Sequence, residues 1–314
     1  MKTIAVAPIL FGLTLVVAPA WAQGGTTLAE RLGYPADAKL LIVHADDIGL
    51  ARSVNLATAR GFESGAITSG SVMVPCPWFP DFAAYYREHQ PLDVGIHLTL
   101  TAEWDHYKWG GISSAGEIRS LLDDHGYFHP TVEAVGAHAL AAEAERELRA
   151  QIERAIALGI RPTHLDTHMG SVLATPELVQ VYLKLGKEYN LPVLTPPRSW
   201  AATVPEAQRE VLATADGMVD GLYMIAADDP SKSWSEAYGE MLAAMGPGLN
   251  VLIVHLAIDD AEMQAVTVNH PDFGSAWRQR DLDFVTSGEF TDLLKAHDLT
   301  LVSWGQIQSV MGGR

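Results

Sequence analysis

Apolar and polar positions alternate between short strand-like runs and amphipathic helices along most of the chain. Leu40–Val43 is an apolar run that reads as a strand buried on both faces. Asp46, Asp47 and Gly49 then end it. A helix is predicted over Ala51–Ser64, with Val54, Ala57 and Gly61 or Phe62 on one face and Gly65 as its stop. Ala66–Val74 reads as a second strand, Pro75, Pro77 and Pro80 mark a loop, Asp81–Glu88 reads as a helix, and Leu92–Leu100 as a third strand. Thr101–Pro130 shows no period and is rich in aromatic and His residues; such a stretch in a compact domain is a functional lid or disordered. Thr131–Leu158 is the clearest helix, with Glu143, Glu145, Arg146, Glu147 and Arg149 on its wet side. Further strands are predicted at Ile160–Thr167, Leu191–Thr195, Gly221–Ile225, Gly248–Leu256 and Leu299–Trp304. Helices are predicted at Pro176–Tyr189, Trp234–Met245, Ala276–Phe284 and Ser287–His297. Strands alternating with helices imply a parallel sheet, and about seven or eight of them favour one closed or nearly closed (β/α) barrel over an open doubly wound sheet. No glycine-rich phosphate loop follows the first strand, which excludes a dinucleotide site.

The start of the chain reads differently. Lys2, the apolar run Ile4–Val17 and Ala20-Trp21-Ala22 before Gln23 form a secretory leader over residues 1–22, leaving 23–314 as one domain. Pro8 and Pro19 interrupt an apolar run already short for a stable membrane span, and no Cys follows the cleavage site to carry a lipid. The expected location is a periplasm or the exterior. Cys76 is the single cysteine, so no internal disulfide forms and an exported fold must rest on its core. The formal charge is −17, one unit more negative once Lys2 is removed. That balance argues against nucleic acid and anionic membranes as partners and suits a neutral or cationic substrate, or a bound metal.

Candidate chemistry gathers at strand ends, where the loops of such a barrel converge: Asp46 and Asp47, His97, His164 with Asp166 and His168, and His255. Two adjacent acids repel unless a cation or a shared proton relieves them. In an extended chain they point opposite ways, so the two need not share a role, and Asp47 could instead cap the next helix. A lone His at a strand end is ordinarily structural; four such ends together point to a metal. His97 and His168 with one carboxylate form a two-His, one-carboxylate set that leaves positions for water and substrate. In a strand His164, Asp166 and His168 share a side, and His168 lies nearest the carboxyl end. His168 is therefore the expected ligand, with His164 or Asp166 orienting it. One divalent ion in such a set activates water for hydrolysis, with Asp46 as the proton acceptor and His255 as the acid for the leaving group. Two imidazoles favour Zn²⁺ by ligand preference. No G-x-S-x-G elbow is present, and Cys76 sits in a proline-rich loop without a base, which argues against Ser or Cys nucleophiles. Trp104, Tyr107 and Trp109 have the density either to stack on sugar rings or to bury one another as a loop mini-core.

Three ordered motifs resemble those of the YdjC-like carbohydrate deacetylases, the ChbG/HpnK group. They are Ala45-Asp46-Asp47-Ile48-Gly49-Leu50 with Asn55, Gly95-Ile96-His97-Leu98-Thr99-Leu100, and Pro162-Thr163-His164-Leu165-Asp166-Thr167-His168. The resemblance implies a distorted (β/α) barrel related to polysaccharide deacetylases. It also implies one divalent metal, Mg²⁺ as well as Zn²⁺, held by Asp47, His97 and His168, with Asp46 as base. The acid role falls to His255, although Val254-His255-Leu256-Ala257 departs from the family's usual setting and Asn269-His270-Pro271 competes. Arg278 and Asp281 match a downstream Arg-acid pair that braces the site. Met169-Gly170 stands where many relatives carry a further His, which points to a different substrate rim. The implied activity is metal-dependent removal of acetyl groups from an N-acetylated sugar or oligosaccharide. An inactive exported sugar-binding protein and a metal-dependent phosphoesterase are the alternatives, the latter disfavoured by the shortage of Arg and Lys near the motifs. A homo-oligomer is left open.

Overall fold

The strand β1 (Lys39–Ile48) runs through the middle of the sheet in the computed structural model, which describes residues 26–200, 203–214, 219–225 and 233–311. The leader expected at residues 1–22 lies outside the described residues. Around β1 the chain forms α1 (Leu28–Arg31), α2 (Arg52–Glu63), β2 (Ser69–Val72), α3 (Phe79–Glu88) and β3 (Val94–Leu98). It continues through α4 (Val132–His138), α5 (Ala141–Ala157), β4 (Leu165–Thr167), α6 (Pro176–Tyr189), α7 (Glu206–Leu212), β5 (Gly221–Tyr223), α8 (Trp234–Ala244) and β6 (Gly248–Val254). The last described elements are α9 (Ala261–Val266), α10 (Ser275–Val285), α11 (Gly288–Ala296), β7 (Leu299–Leu301) and α12 (Trp304–Met311).

All described strand pairs are parallel, along the path β4-β3-β2-β1-β6-β5. β6 takes one edge of β1 from Lys39↔Gly248 to Ala45↔Val254. The other edge is divided, with β7 on Lys39–Leu41 and β2 on His44–Ile48. Beyond β4 the wall continues as a single parallel bridge, Leu165↔Val193. The result is the expected distorted (β/α) barrel, with helices outside a curved parallel sheet.

The period of two sorts β1 cleanly. Leu41, Val43 and Ala45 pack outward against Tyr238 and Leu242 of α8 and Leu282 and Val285 of α10. Leu40 and Ile42 point inward, with Leu249, Val251, Trp304 and Ile307, and make an apolar floor. His44 and Asp46 continue that inward row. The interior therefore rises in layers: apolar residues, then a buried polar layer of His44, Ser71, His164 and Asp166, then Asp46, Asp47, His97, His168 and His255 on top. On β3 the outward residues Val94, Ile96 and Leu98 join a second core with Phe82, Leu148 and Tyr182.

Several elements differ from the sequence expectation. The helix predicted over Thr131–Leu158 is two helices, broken at Ala139 and Leu140, both in extended backbone. Glu147 is fully buried rather than on the wet side. It accepts hydrogen bonds from the Ile112 and Ser113 amides at 2.9 and 2.8 Å, while Glu143 takes the Ser120 amide and Gln151 clasps the Thr99 amide and carbonyl. These three residues, spaced by four on α5, form a polar strip that binds backbone. It orders the insertion Thr101–Pro130, whose Leu122↔Phe128 and Thr101↔His129 bridges add further ties. The strands predicted at Ile160–Thr167 and Leu191–Thr195 shrink to β4 and one bridge, and Trp304 begins α12 rather than ending a strand. Helices α1, α7, α9 and α12 are short and carry little periodic signal.

Candidate metal centre

Strand parity delivers three of the four strand ends to one spot. His97 is inward on β3, and His168 and His255 each lie one residue past β4 and β6 on the inward row. Asp47 breaks the rule. Between Ala45↔Gly70 and Ile48↔Val72, β1 carries one residue more than β2, a β-bulge. Asp47 sits there at φ 58°, a left-handed conformation that costs a residue with a side chain about 1–2 kcal/mol. The bulge turns Asp47 inward beside Asp46. It requires Gly70, whose Cβ would lie 2.7 Å from both the Ala45 carbonyl oxygen and Ile48 Cδ1. The helix-cap alternative for Asp47 is not realised, since the N-cap of α2 is Ala51 and no side chain caps it.

Asp47 Oδ1 lies 3.1 Å from His168 Nδ1 and 3.4 Å from His97 Nε2, and the two nitrogens are 3.3 Å apart. Donor atoms bonded at roughly 2.0–2.1 Å to one ion stand roughly 3.0–3.4 Å from each other, so this triangle fits a divalent cation. Asp47 Oδ1 is buried without a hydrogen-bond partner, as a ligand atom aimed at an ion would be. Arg278 Nη2 donates to Asp47 Oδ2 at 2.8 Å, which leaves Oδ1 alone to face the triangle.

Each imidazole is backed on its other nitrogen. His97 Nδ1 meets Asp166 Oδ1 at 2.9 Å, and Asp166 Oδ2 takes His44 Nε2 at 2.9 Å and Ser71 Oγ at 2.7 Å. His168 Nε2 meets Glu103 Oε2 at 3.0 Å. The expectation that His164 or Asp166 orients His168 is therefore corrected: Asp166 holds His97, and Glu103 holds His168. His164 lies a layer deeper, with Nδ1 3.0 Å from Thr163 Oγ1 and its ring stacked on Trp304. His44, Ser71 and Glu103 escaped the sequence reading. His44 shares the inward parity of Asp46 and was findable; Glu103, in the aperiodic insertion, carries no periodic signal.

Electrostatics follow from burial and pairing. Burial alone would raise Asp47, but Arg278 and the two imidazoles outweigh it and hold the carboxyl well below its usual range. Burial and the adjacent Asp47 push Asp46 well up. His168 is pushed up to about 9 because Glu103 and Asp47 outweigh burial, whereas burial and then Arg278 bring His255 down to about 3. His255 Nε2 stands 3.4 Å from Asp46 Oδ2. Its backbone amide donates to Asp281 Oδ2 at 2.9 Å, and Tyr238 holds the other oxygen, so Asp281 braces the end of β6.

The competing His270 sits at the rim, paired with Asp105 at 3.1 Å. Trp104 and Trp109 are 3 % and 4 % exposed, within the core rather than free as stacking faces, and the half-buried Tyr107 donates to the Leu50 carbonyl. The mini-core alternative therefore describes this insertion. Trp104 also lies beneath the Arg278 guanidinium, 5.8 Å from its ring centre.

The sequence matches the family model described as YdjC-like protein over residues 40–296. It is 36% identical over 264 residues to a carbohydrate deacetylase of Thermus thermophilus, covering 82% of this chain and 89% of that one. A carbohydrate deacetylase of Clostridium beijerinckii is 26% identical over 277 residues, covering 85% and 99%. The fold is shared with a crystal structure of a protein described as a cellobiose-phosphate cleavage protein from Enterococcus faecalis, at TM-score 0.72 and 24% identity, over 85% of this chain and 98% of that one. The chain belongs to the YdjC-like family.

Proposed function

We propose that this chain, an amide hydrolase of the YdjC-like family, removes acetyl groups from an N-acetylated sugar using one divalent ion held by Asp47, His97 and His168. The observation that carries the metal reading is the 3.1–3.4 Å triangle of their donor atoms, built from β1, β3 and the residue that follows β4. The substrate reading rests on the family and on relatives named for carbohydrate deacetylation.

A divalent ion in that position supplies Lewis-acid chemistry, making a water more acidic and polarising the amide carbonyl. The chain's own residues handle the protons. Asp46 Oδ1 is buried without a partner, and the raised affinity of this carboxyl for a proton suits it to take one from the attacking water. His255 is neutral at rest, so it acts as an acid only after accepting a proton, and Asp46 is within reach to pass one on. The water oxygen bonds the acetyl carbon, the C–N bond breaks, and the leaving nitrogen takes the proton from His255. Arg278 keeps Asp47 ionised throughout. The leader read at residues 1–22 extends the proposal to an exported enzyme.

Acetate release from N-acetylglucosamine oligomers, measured with and without chelator, tests this reading. Loss of release on chelation and in Asp47→Ala is expected; release that persists in both overturns it.

A further inference from the structure

We propose that Glu103 is a positioning residue of this centre, holding His168 in the orientation that turns Nδ1 to the ion. The inference rests on the reading that Asp47, His97 and His168 share a cation. The two imidazoles present opposite nitrogens: His97 offers Nε2 and His168 offers Nδ1. A ring whose far N–H is donated to a carboxylate keeps the near lone pair free for a metal. Asp166 does this for His97 and has no oxygen left for His168, since Oδ2 already accepts from His44 and Ser71. Glu103 Oε2, 3.0 Å from His168 Nε2, is the group that does it for the second ring.

The second torsion of a histidine is broad and roughly two-fold, so an unanchored ring can turn over and present carbon to the site. Glu103 is itself anchored. Before it, the Ala102 amide donates to the His129 carbonyl at 3.0 Å, Thr101 bridges His129, and Gln151 of α5 clasps Thr99 on both backbone atoms. After it, the buried Trp104 is covered by Arg278, which bonds Asp47. The Glu103 side chain is only 17% exposed, so the contact is shielded from water. One of the proposed ligands is thus oriented by the start of the insertion and not by the barrel. The adjacent residues Glu103 and Trp104 thus contact His168 and Arg278 respectively.

Calorimetric titration of chelator-stripped full-length protein with ZnCl₂ tests the role. Glu103→Ala is expected to weaken Zn²⁺ binding about 10–100-fold. Glu103→Gln keeps an acceptor for Nε2–H and is expected to recover most of that loss. Long-range ¹H–¹⁵N NMR on the Zn²⁺-loaded protein should place the His168 proton on Nε2 in wild type and in Glu103→Gln. If Glu103→Ala does not fold, the His168 tautomer in Glu103→Gln decides. Equal Zn²⁺ affinity in wild type and Glu103→Ala, or a His168 proton on Nδ1, overturns the proposal. A wild-type protein that binds Zn²⁺ but releases no acetate would overturn the deacetylase reading and leave this one standing.

Discussion

Asp47 concentrates the demands of the site in one residue. Its left-handed backbone, its Arg278 partner and its two imidazole neighbours each act on a residue that is 2% exposed. Truncating one partner of a buried ion pair leaves the other charge uncompensated and costs roughly 3–5 kcal/mol. Arg278→Leu should destabilise metal-free protein on that scale, read by urea denaturation, and the loss should shrink when Zn²⁺ is added. Asp46 is predicted to behave differently. Asp46→Asn should retain Zn²⁺ affinity within a few-fold in calorimetry while acetate release collapses, because Asp46 Oδ2 lies closer to His255 Nε2, at 3.4 Å, than to His97 Nε2, at 4.0 Å. A variant that loses the ion instead would reassign Asp46 as a ligand. His168 gives a pH prediction. Its folded value of about 9 exceeds its unfolded value of about 6.5, so its contribution to metal-free stability is whole below pH ~6.5 and is lost as pH rises through about 9. Zn²⁺ must displace that proton, so apparent affinity should rise with pH towards 9 while calorimetry in different buffers shows proton release.

At the level of elements, two devices hold the site in place. The first is the α5 strip of Glu143, Glu147 and Gln151, which supplies the insertion with acceptors that a helix or strand would otherwise provide. Glu147→Ala should strand the Ile112 and Ser113 amides at a cost of about 1–3 kcal/mol and expose the insertion to limited proteolysis. The second is the stack of Gly95, His164 and Trp304 under the ligands. A Cβ at Gly95 would lie 2.4 Å from the His164 ring, so Gly95→Ala should cost roughly 1–3 kcal/mol in thermal denaturation by displacing a ring that has no room to move.

For the whole molecule, the three apolar clusters that carry the fold include none of Asp47, His97 and His168, the residues proposed to hold the ion. Chelation should therefore leave far-UV circular dichroism near native. It should lower stability only by linkage, about 2.7 kcal/mol for an ion present at a hundredfold its Kd. Global unfolding on chelation would instead make the metal structural.

Alternation alone determined much of this. The period of two puts His97, Asp166, His168 and His255 on inward rows, and the strand-helix alternation dictates a parallel barrel, because both are local consequences of backbone geometry. Tertiary structure decided the rest. The turning of Asp47 depends on an extra residue opposite Gly70 of a neighbouring strand. The break at Leu140 and the burial of Glu147 depend on an insertion docking against α5. Glu103 reaches His168 across 65 positions of sequence. Each is a pairing between segments distant in the chain, and local hydrophobic pattern carries no information about which distant partner a polar group will meet.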